Sequence, residues 1–197
     1  MNKKCKTGVV IMASGLGKRF GGNKLMECLD GKPLIKWILD TTCDIFDKKI
    51  VVTRCSEVKA LCDESNIECI LHELPNRNDT VRLGLSAIMK EVDYCFFALG
   101  DQPLIKKETI KKLIEKADET PDFIVRASYG DEAGSPVGFP KAFFDELLKL
   151  PTGKGGGWVV KNNLSKVCTV EVQEEYELWD VDTVKDLENI KNVLKNI

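Results

Sequence analysis

The residues best suited to chemistry lie in one loop near the start of the chain. An apolar run at residues 9–13 leads into a segment at 14–25 with four glycines and three cations, namely Gly15, Gly17, Gly21, Gly22, Lys18, Arg19 and Lys24. Glycine lets backbone N–H groups turn toward one point and lets a ligand approach closely. Because clustered N–H groups bind anions, the loop and its cations together predict a polyphosphate site.

Two familiar phosphate-binding loops do not fit this segment. The P-loop pattern G-x-x-x-x-G-K-[ST] lacks its first glycine here, and Arg19 stands at its Ser/Thr position. The dinucleotide pattern G-x-G-x-x-G is met by Gly15 and Gly17 but has Phe20 in place of its third glycine. A flexible surface turn with solvated charges is the remaining alternative. Since the loop directly follows the first predicted strand, we favour a ligand-binding role.

Composition indicates an ordinary globular protein and limits the classes of partner that we expect it to bind. The 197 residues are 43% hydrophobic and 30% charged, which predicts one domain over residues 1–197 with a sizeable core. A net charge of −2 gives no reason to expect a nucleic-acid partner. No apolar run reaches the roughly 18 residues that a membrane span needs, so we expect no membrane partner either.

Cysteine usage indicates the compartment. None of the eight cysteines forms a C-x-x-C pair, so a zinc site and a thioredoxin-like site both lack support. The basic N-terminal residues are not followed by a convincing cleavage site for a signal peptide. We therefore expect free thiols and a cytoplasmic location.

Strand-like and helix-like segments alternate along the whole chain. The predicted strands span residues 8–13, 49–53, 67–71, 94–99, 123–127 and 166–172, and the predicted helices span 34–46, 56–64, 80–91, 107–119, 141–150 and 183–194. Several strands are continuous apolar runs, which is typical of strands covered on both faces. The pattern predicts an α/β fold of three layers, with a mostly parallel, Rossmann-like sheet between two layers of helices. Ligands of such sheets bind at the carboxyl ends of the strands.

Carboxylates are predicted at the same edge of the sheet. Asp101 follows the most apolar strand, where it suits Mg²⁺, which takes one or two carboxylates plus phosphates and waters; a plain turn before Pro103 is the alternative. Side chains alternate in direction along an extended segment, so Asp180 and Asp182 are expected on one side, where one of them faces the same metal. In the alternative interpretation, Asp182 or Thr183 only caps the last helix.

Other segments have less specific signals. Thr80 lies at a predicted helix start, and helix N-termini favour phosphate. Residues 134–140 predict a turn followed by a short strand, and residues 153–157 form a second glycine-rich loop that could be a linker, a lid or a ligand loop. The only histidine, His72, is expected to be an ordinary loop residue. No Ser–His or Cys–His pair is therefore predicted for nucleophilic catalysis.

In this order the segments resemble the MobA-like NTP transferases, and most closely their molybdenum cofactor cytidylyltransferase branch. The family's loop A-A-G-x-x-x-R-M-G-x-N-K-L-L is similar to residues 13–26, and its D-x-P, S-x-x-x-G-L, G-x-P-V and D-I-D-T-P-x-D-L patterns are similar to residues 101–103, 80–85, 134–137 and 180–187. The guanylyl-transferring branch usually has Asp before the lysine of the loop and an early G-G pair. Asn23 before Lys24, with Ser14-Gly15 earlier in the loop, favours cytidylyl transfer.

The resemblance implies the fold of the nucleotide-diphospho-sugar transferases (GT-A-like). It also implies a Mg²⁺-dependent enzyme that moves CMP from CTP to the phosphate of molybdopterin, or molybdenum cofactor, with release of pyrophosphate. The nucleotide-binding residues that it implies are Ala13, Ser14, Gly15, Leu16, Gly17, Lys18, Arg19, Lys24 and Thr80. The implied catalytic residues are Arg19, Lys24 and Asp101, the metal ligands are Asp101 and Asp182, and the acceptor-binding residues are Ser135, Gly153 and Lys154. In this scheme Lys24 lies at the α-phosphate, and Ala13 and Ser14 lie beside the base.

Two departures concern the acceptor half of the implied site. The family's G-D-x-G-A-R loop appears as residues 153–158 without its acid and arginine, and Ser135 stands where the cytidylyl branch commonly has His or Asn. The acceptor could therefore be a sugar phosphate or a polyol phosphate. A third interpretation is a non-catalytic carrier or accessory protein for molybdenum cofactor, with a molybdenum hydroxylase as its partner. Lys24 and Asp101 argue against it, since a carrier needs no triphosphate and metal site.

Overall fold

The computed structural model of the protein describes residues 4–15, 17 and 19–196. Within these residues the strands are β1 Thr7–Ala13, β2 Cys28–Leu29, β3 Lys32–Pro33, β4 Lys48–Thr53, β5 Cys69–Leu71, β6 Tyr94–Leu99, β7 Ile124–Tyr129, β8 Glu132–Pro140 and β9 Val167–Glu171. The α-helices are α1 Leu34–Thr41, α2 Ser56–Glu64, α3 Arg77–Ile88, α4 Lys107–Glu119, α5 Phe144–Leu148, α6 Gly156–Asn162 and α7 Val184–Leu194. Short 3₁₀ helices lie at Lys24–Met26, Lys141–Phe143, Leu164–Lys166 and Glu175–Leu178.

The main sheet has seven strands in the order β5-β4-β1-β6-β8-β7-β9. Strand β8 is antiparallel to both of its neighbours, and every other pairing is parallel. Strands β2 and β3 form a separate antiparallel pair. The predicted α/β class with a mostly parallel sheet is therefore confirmed.

Both faces of the sheet are buried. Along β1, Val9 and Ile11 pack against α1, α2 and α4, whereas Val10 packs against α3, α5 and α6. A strand with apolar residues at consecutive positions can bury both sets only when helices cover both faces. A third apolar cluster joins α7 to Leu29, Leu34 and Val181. The result is the predicted three-layer arrangement.

Several predicted boundaries were wrong. The helix predicted at 34–46 ends at Thr41, and the one predicted at 141–150 divides into a 3₁₀ turn and the short α5. The helix predicted at 80–91 begins three residues earlier, because Asn76 and Asp79 form a capping box that satisfies the free N–H groups of the first turn. Thr80 consequently lies inside the first turn of α3 and not before it.

The largest miss is β8. Residues 134–140 were predicted as a turn and a short strand, but Glu132–Pro140 is a nine-residue strand inserted between β6 and β7. Its two glycines and two prolines are unfavourable in strands, so local propensity hid the element. Pairing on both sides stabilises it nevertheless.

Two further findings bear on the expected environment of the chain. All eight cysteines are free thiols in the structure. Among the described residues, every helix is too short or too polar to cross a bilayer.

Candidate active site

A cavity of about 370 Å³ opens at the carboxyl ends of β1, β4 and β6. Residues that the sequence predicted for the site make up half of its lining: Ser14, Gly15, Arg19, Lys24, Thr80, Asp101 and Asp182. Six further lining residues were not predicted as site residues: Met12, Arg54, Pro75, Asn76, Arg77 and Leu99. Asp180, which the sequence left as an alternative to Asp182, lines the cavity as well. The site therefore forms at the predicted sheet edge.

Three carboxylates converge in this cavity. One ligand oxygen from each of Asp101, Asp180 and Asp182 lies within 4.8 Å of the other two, and we call these residues the carboxylate cluster. The backbone N–H of Val181 donates to the carbonyl of Asp101 at 2.9 Å, and the Val181 side chain is fully buried. Because side chains alternate along an extended segment, burying Val181 turns Asp180 and Asp182 together toward Asp101, as predicted.

Lys24 lies among these carboxylates. Its Nζ is 2.5 Å from Asp101 Oδ2 and 3.1 Å from Asp182 Oδ1, and it donates to the carbonyl of Val181 at 2.6 Å. An ammonium group has three N–H donors, so each has a protein acceptor. Burial lowers the pKa of Lys24, but Asp101 and Asp182 outweigh it and raise the pKa above its usual range. Lys24 is therefore charged, with its side chain only 7% exposed.

This geometry bears on two predictions. Lys24 was expected at an α-phosphate. In the structure its three N–H donors bond instead to Asp101, to Asp182 and to the carbonyl of Val181. Asp182 was expected either to face the metal or to cap the last helix. The cap of α7 is Thr183, which forms a capping box with Asp186. Asp182 is thus free to face the cavity, where it also pairs with Arg19 at 2.6 Å.

The carboxylate cluster suits a divalent cation. Partial desolvation in the cavity, and then repulsion from Asp101 and Asp182, raise the pKa of Asp180 above its usual range. Closely spaced carboxylates that destabilise one another's charge gain from a bound cation. Oxygen ligands alone are the preference of hard cations such as Mg²⁺, so the donor set fits such an ion.

A buried glutamate supports the segment that carries these acids. Glu177 is fully buried and accepts hydrogen bonds from Thr109 Oγ1 at 2.5 Å and from the backbone N–H of Lys106 at 3.2 Å. The side chain of Gln102 donates to the carbonyls of Glu177, at 2.8 Å, and Ser135, at 3.0 Å. These bonds link Glu177 to the segment that follows Asp101. They therefore help to position the nearby segment that carries Asp180 and Asp182. No motif in the sequence marks Glu177.

The glycine-rich loop forms a tight turn beside the cluster. Gly17 has a φ of 57°, which residues other than glycine rarely adopt, and its carbonyl accepts from the N–H groups of Phe20 and Gly21 at 2.9 and 3.0 Å. Gly15 is exposed and has open space where a side chain would be. A ligand can therefore approach its backbone. The predicted site residues Leu16 and Lys18 lie outside the described residues.

A serine–histidine pair, which the sequence analysis did not predict, lies at the start of this loop. Ser14 Oγ donates to the carbonyl of Val52 at 3.1 Å and lies 2.8 Å from His72 Nε2. Because a hydroxyl has one hydrogen, His72 must donate to Ser14. Within the described part of the chain, His72 Nδ1 is buried without a partner, so no acid completes a catalytic triad. The pair positions the loop and does not create a nucleophile.

Arg54 joins the same loop to the start of α3. Its Nε donates to the carbonyl of Ser14 at 2.9 Å, and its Nη1 is within 3.5 Å of the carbonyls of Leu74 and Pro75. Burial, and then the charge of Arg54, lower the pKa of His72, so His72 is neutral near pH 7. The sequence signal for Arg54 was its position directly after a predicted strand.

Other predicted residues do not line the cavity. Ala13 is 2% exposed and packs in the core. The side chain of Asn23 donates to Cys55 Sγ at 2.9 Å. Gly153 and Lys154 are exposed, and the carbonyl of Ser135 is bonded to Gln102. One cavity is thus lined by both predicted metal ligands and by five of the predicted nucleotide-binding residues, namely Ser14, Gly15, Arg19, Lys24 and Thr80. Ala13, Gly17 and the predicted acceptor-binding residues do not line it.

Comparison with known proteins assigns the family. Residues 9–167 match the MobA-like NTP transferase domain. The chain belongs to the MobA-like NTP transferase family. The chain is 32% identical over 220 residues to the 2-C-methyl-D-erythritol 4-phosphate cytidylyltransferase of Endomicrobium trichonymphae. The match covers 97% of this chain and 100% of that protein. It is 25% identical to a probable molybdenum cofactor guanylyltransferase of Aquifex aeolicus (strain VF5), covering 91% of this chain and 88% of that protein.

Other matches are partial or structural. The chain spans less than half the length of the bifunctional GlmU proteins that it matches; for Thermoanaerobacter pseudethanolicus the match covers 95% of this chain and 40% of that protein at 25% identity. Among solved structures, Rv0371c of Mycobacterium tuberculosis superposes on this MobA-like chain with a TM-score of 0.84 at 26% identity, covering 94% and 97% of the two chains. A manganese complex of Rv0371c gives a TM-score of 0.78 at 22% identity, covering 95% and 98%.

Proposed function

We propose that the protein is a divalent-cation-dependent cytidylyltransferase that moves CMP from CTP to the phosphate of molybdopterin and releases pyrophosphate. The observation that carries this proposal is the carboxylate cluster around Lys24, directly beside a glycine-rich loop with an exposed backbone at Gly15. A cation site and a polyphosphate site in one cavity are what transfer from a nucleoside triphosphate requires. Membership of the NTP transferase family supports the same reaction class.

Asp101 and Asp182 are the proposed cation ligands, and Asp180 is a third candidate. Mg²⁺ is the ion that we expect, and the manganese complex of Rv0371c supports a divalent cation in this fold. When bound, such an ion would supply positive charge that neutralises the phosphates. All three N–H donors of Lys24 are engaged in the structure, so Lys24 must release at least one of them before it can donate to a phosphate.

In the proposed step, an oxygen of the acceptor phosphate forms a bond with the α-phosphorus of CTP. The bond from that phosphorus to the oxygen that bridges it to the β-phosphate breaks, and its electron pair leaves with pyrophosphate. The backbone N–H groups of Gly15 and Gly17 hold the β- and γ-phosphates, with Arg19 as a bidentate cation. Lys24 donates one released N–H to an α-phosphate oxygen, where negative charge develops in the transition state.

The choice of CTP rests on two observations. The sequence resembles the cytidylyl-transferring branch at Asn23, and the relative matched over its full length is a cytidylyltransferase. In the structure Asn23 bonds to Cys55 and does not line the cavity, so its side chain does not contact the base. We therefore assign base contacts to the wall formed by Ser14, Pro75 and Asn76.

A polyol phosphate is the second candidate acceptor. The observation that favours it is the same relative, whose name specifies 2-C-methyl-D-erythritol 4-phosphate. The 153–158 segment, which lacks the acid and arginine of the molybdopterin-related loop, is consistent with either acceptor.

A pyrophosphate-release assay tests the proposal. The protein is incubated with Mg²⁺ and one of CTP, GTP, UTP or ATP, with molybdopterin, with 2-C-methyl-D-erythritol 4-phosphate, or with no acceptor. We expect release that depends on both CTP and molybdopterin and that EDTA abolishes. Release only with the polyol phosphate would establish the second candidate. If the protein binds molybdopterin tightly but releases no pyrophosphate under any condition, it is a carrier and the proposal is wrong.

A further inference from the structure

The cations that line the cavity differ in what they already bind. Within residues 4–15, 17 and 19–196 they are Arg19, Lys24, Arg54 and Arg77. Arg19 pairs with Asp182, and Lys24 pairs with Asp101. Arg54 bonds to the carbonyl of Ser14. Arg77 forms no hydrogen bond or ion pair with any described residue, so its guanidinium remains available to an incoming anion.

Gly155 is the residue against which Arg77 lies. A Cβ at position 155 would come 3.0 Å from Arg77 Nε and 3.1 Å from Arg77 Cδ, closer than ordinary side-chain contacts. The φ of Gly155 is −126°, which any residue adopts. A side chain at position 155 would therefore press on Arg77 and displace it slightly, whereas the backbone conformation does not itself require glycine. Arg77 thus lies against the loop at residues 151–155, which we call the 151–155 loop.

The 151–155 loop is itself fastened to the start of α3. The backbone N–H of Gly153 donates to Asn78 Oδ1 at 2.8 Å, and Asn78 is buried. The N–H of Lys154 donates to the carbonyl of Pro151 at 3.0 Å, which closes the turn. Arg77 and Asn78 are neighbours in sequence, so one helix start positions both the guanidinium and the loop. Arg77 therefore lies at the cavity wall beside this loop.

We propose that Arg77 binds the phosphate of the second substrate, and that the 151–155 loop forms the wall of that subsite. The inference rests on the proposed nucleotidyl transfer and specifies its acceptor as a phosphomonoester. A guanidinium offers two parallel N–H donors to phosphate oxygens, and this one is free while the other described cations of the cavity are engaged. The arginine missing from residues 153–158 is thus supplied from a different element, α3.

Calorimetry with inorganic phosphate as the probe tests the subsite. Phosphate is titrated into protein saturated with Mg²⁺ and a non-hydrolysable CTP analogue, and the analogue itself is titrated separately. Loss of a charge-assisted hydrogen bond predicts that Arg77→Ala weakens phosphate binding on the order of tenfold, with Arg77→Lys in between. The dissociation constant of the analogue stays within about twofold, because nucleotide contacts are intact. Arg82→Ala is the matched control, since Arg82 lies on the same helix, outside the cavity lining, and pairs with Asp79.

A second variant tests the role of Gly155. Gly155→Ala keeps the arginine but displaces it, so phosphate binding should weaken in the wild-type background and change no further in the Arg77→Ala background. Equal phosphate binding by wild type and Arg77→Ala overturns the inference, and so does a loss confined to the CTP analogue. If wild type does not bind the analogue, the proposed function fails. Phosphate titrated into the free protein then decides the role of Arg77 by the same comparison with Arg77→Ala.

Discussion

The carboxylate cluster and the 151–155 loop are built in different ways. The cluster is held by charges: Lys24 has a side chain that is 7% exposed and bonds two carboxylates and a backbone carbonyl. The 151–155 loop is largely exposed and is joined to α3 by one bond to Asn78, with Arg77 lying against Gly155. In the first region a lysine is held by two acids, whereas in the second one arginine lies beside a glycine and has no ion pair with a described residue.

This difference indicates where substrate specificity can vary. Charges held together at low exposure are costly to change, because removing one partner leaves the others unpaired. A loop joined by few bonds can change sequence with little loss of stability. Under the proposed function, we expect the carboxylate cluster to serve the step common to any nucleotidyl transfer and the loop to distinguish one acceptor from another.

The largest effect is expected in the carboxylate cluster. Lys24→Ala and Asp101→Ala should each lower turnover by about 10²–10³-fold, as for other preorganised electrostatic contacts, measured as pyrophosphate release. Lys32→Ala is the control, because Lys32 pairs with Asp40 on the surface at 2.7 Å. A wild-type rate in either cluster variant would remove Lys24 or Asp101 from the mechanism.

Substitutions at Asp182 and Thr183 distinguish metal binding from capping of the last helix, two roles that the sequence left open. Asp182→Asn should weaken the apparent affinity for Mg²⁺ by roughly tenfold, since one carboxylate of the site loses its charge, while the melting temperature changes little. Thr183→Ala should cost about 1 kcal/mol of stability, because it removes the N-cap of α7, with turnover within about twofold. The opposite result, an unstable Asp182→Asn and an inactive Thr183→Ala, would contradict the assignment.

Asn78 tests the tie between the loop and α3. Asn78→Ala removes a buried hydrogen bond to Gly153, worth about 1 kcal/mol, so the KM for the acceptor should rise about fivefold. The KM for CTP should stay unchanged, because Asn78 does not line the cavity. Equal increases in both KM values would show that the loop and the nucleotide wall act as one unit. The loop would then not distinguish the acceptor from the nucleotide.

The smallest effect is a pH dependence from His72. The pKa of His72 is lower in the folded chain than its usual value of about 6.5, so the unfolded chain binds its proton more readily. Stability from this residue is present above about pH 6.5 and is lost as pH falls through and below that value. His72→Gln keeps a donor to Ser14 without titrating, so its melting temperature should fall less than that of wild type between pH 7 and 5. Parallel losses in the two proteins would show that the pKa of His72 is the same in the folded and unfolded chains, which would contradict this prediction.

Local patterns predicted much of the fold and part of the site. The apolar runs at β1 and β6, the helix period of α4 and the alternation around Val181 each depend on neighbours a few residues apart, and the structure has them where the sequence indicated. The pairing of β8 between β6 and β7 could not be predicted in this way, because its prolines and glycines oppose a strand and only the partner strands stabilise it. Arg77 was missed for a similar reason: its significance depends on Gly155.

The sequence by itself determined the alternation of strands and helices, the backbone freedom of the glycine-rich loop and the placing of Asp101, Asp180 and Asp182 at one sheet edge. Those features follow from backbone freedom, side-chain period and polarity, which are local properties. Only the tertiary structure decided that Lys24 lies among carboxylates 77 and 158 positions away, that Ser14 pairs with His72, and that Arg77 reaches the 151–155 loop. These contacts depend on how the strands and helices pack, and packing is set by burial over the whole chain rather than by any single segment.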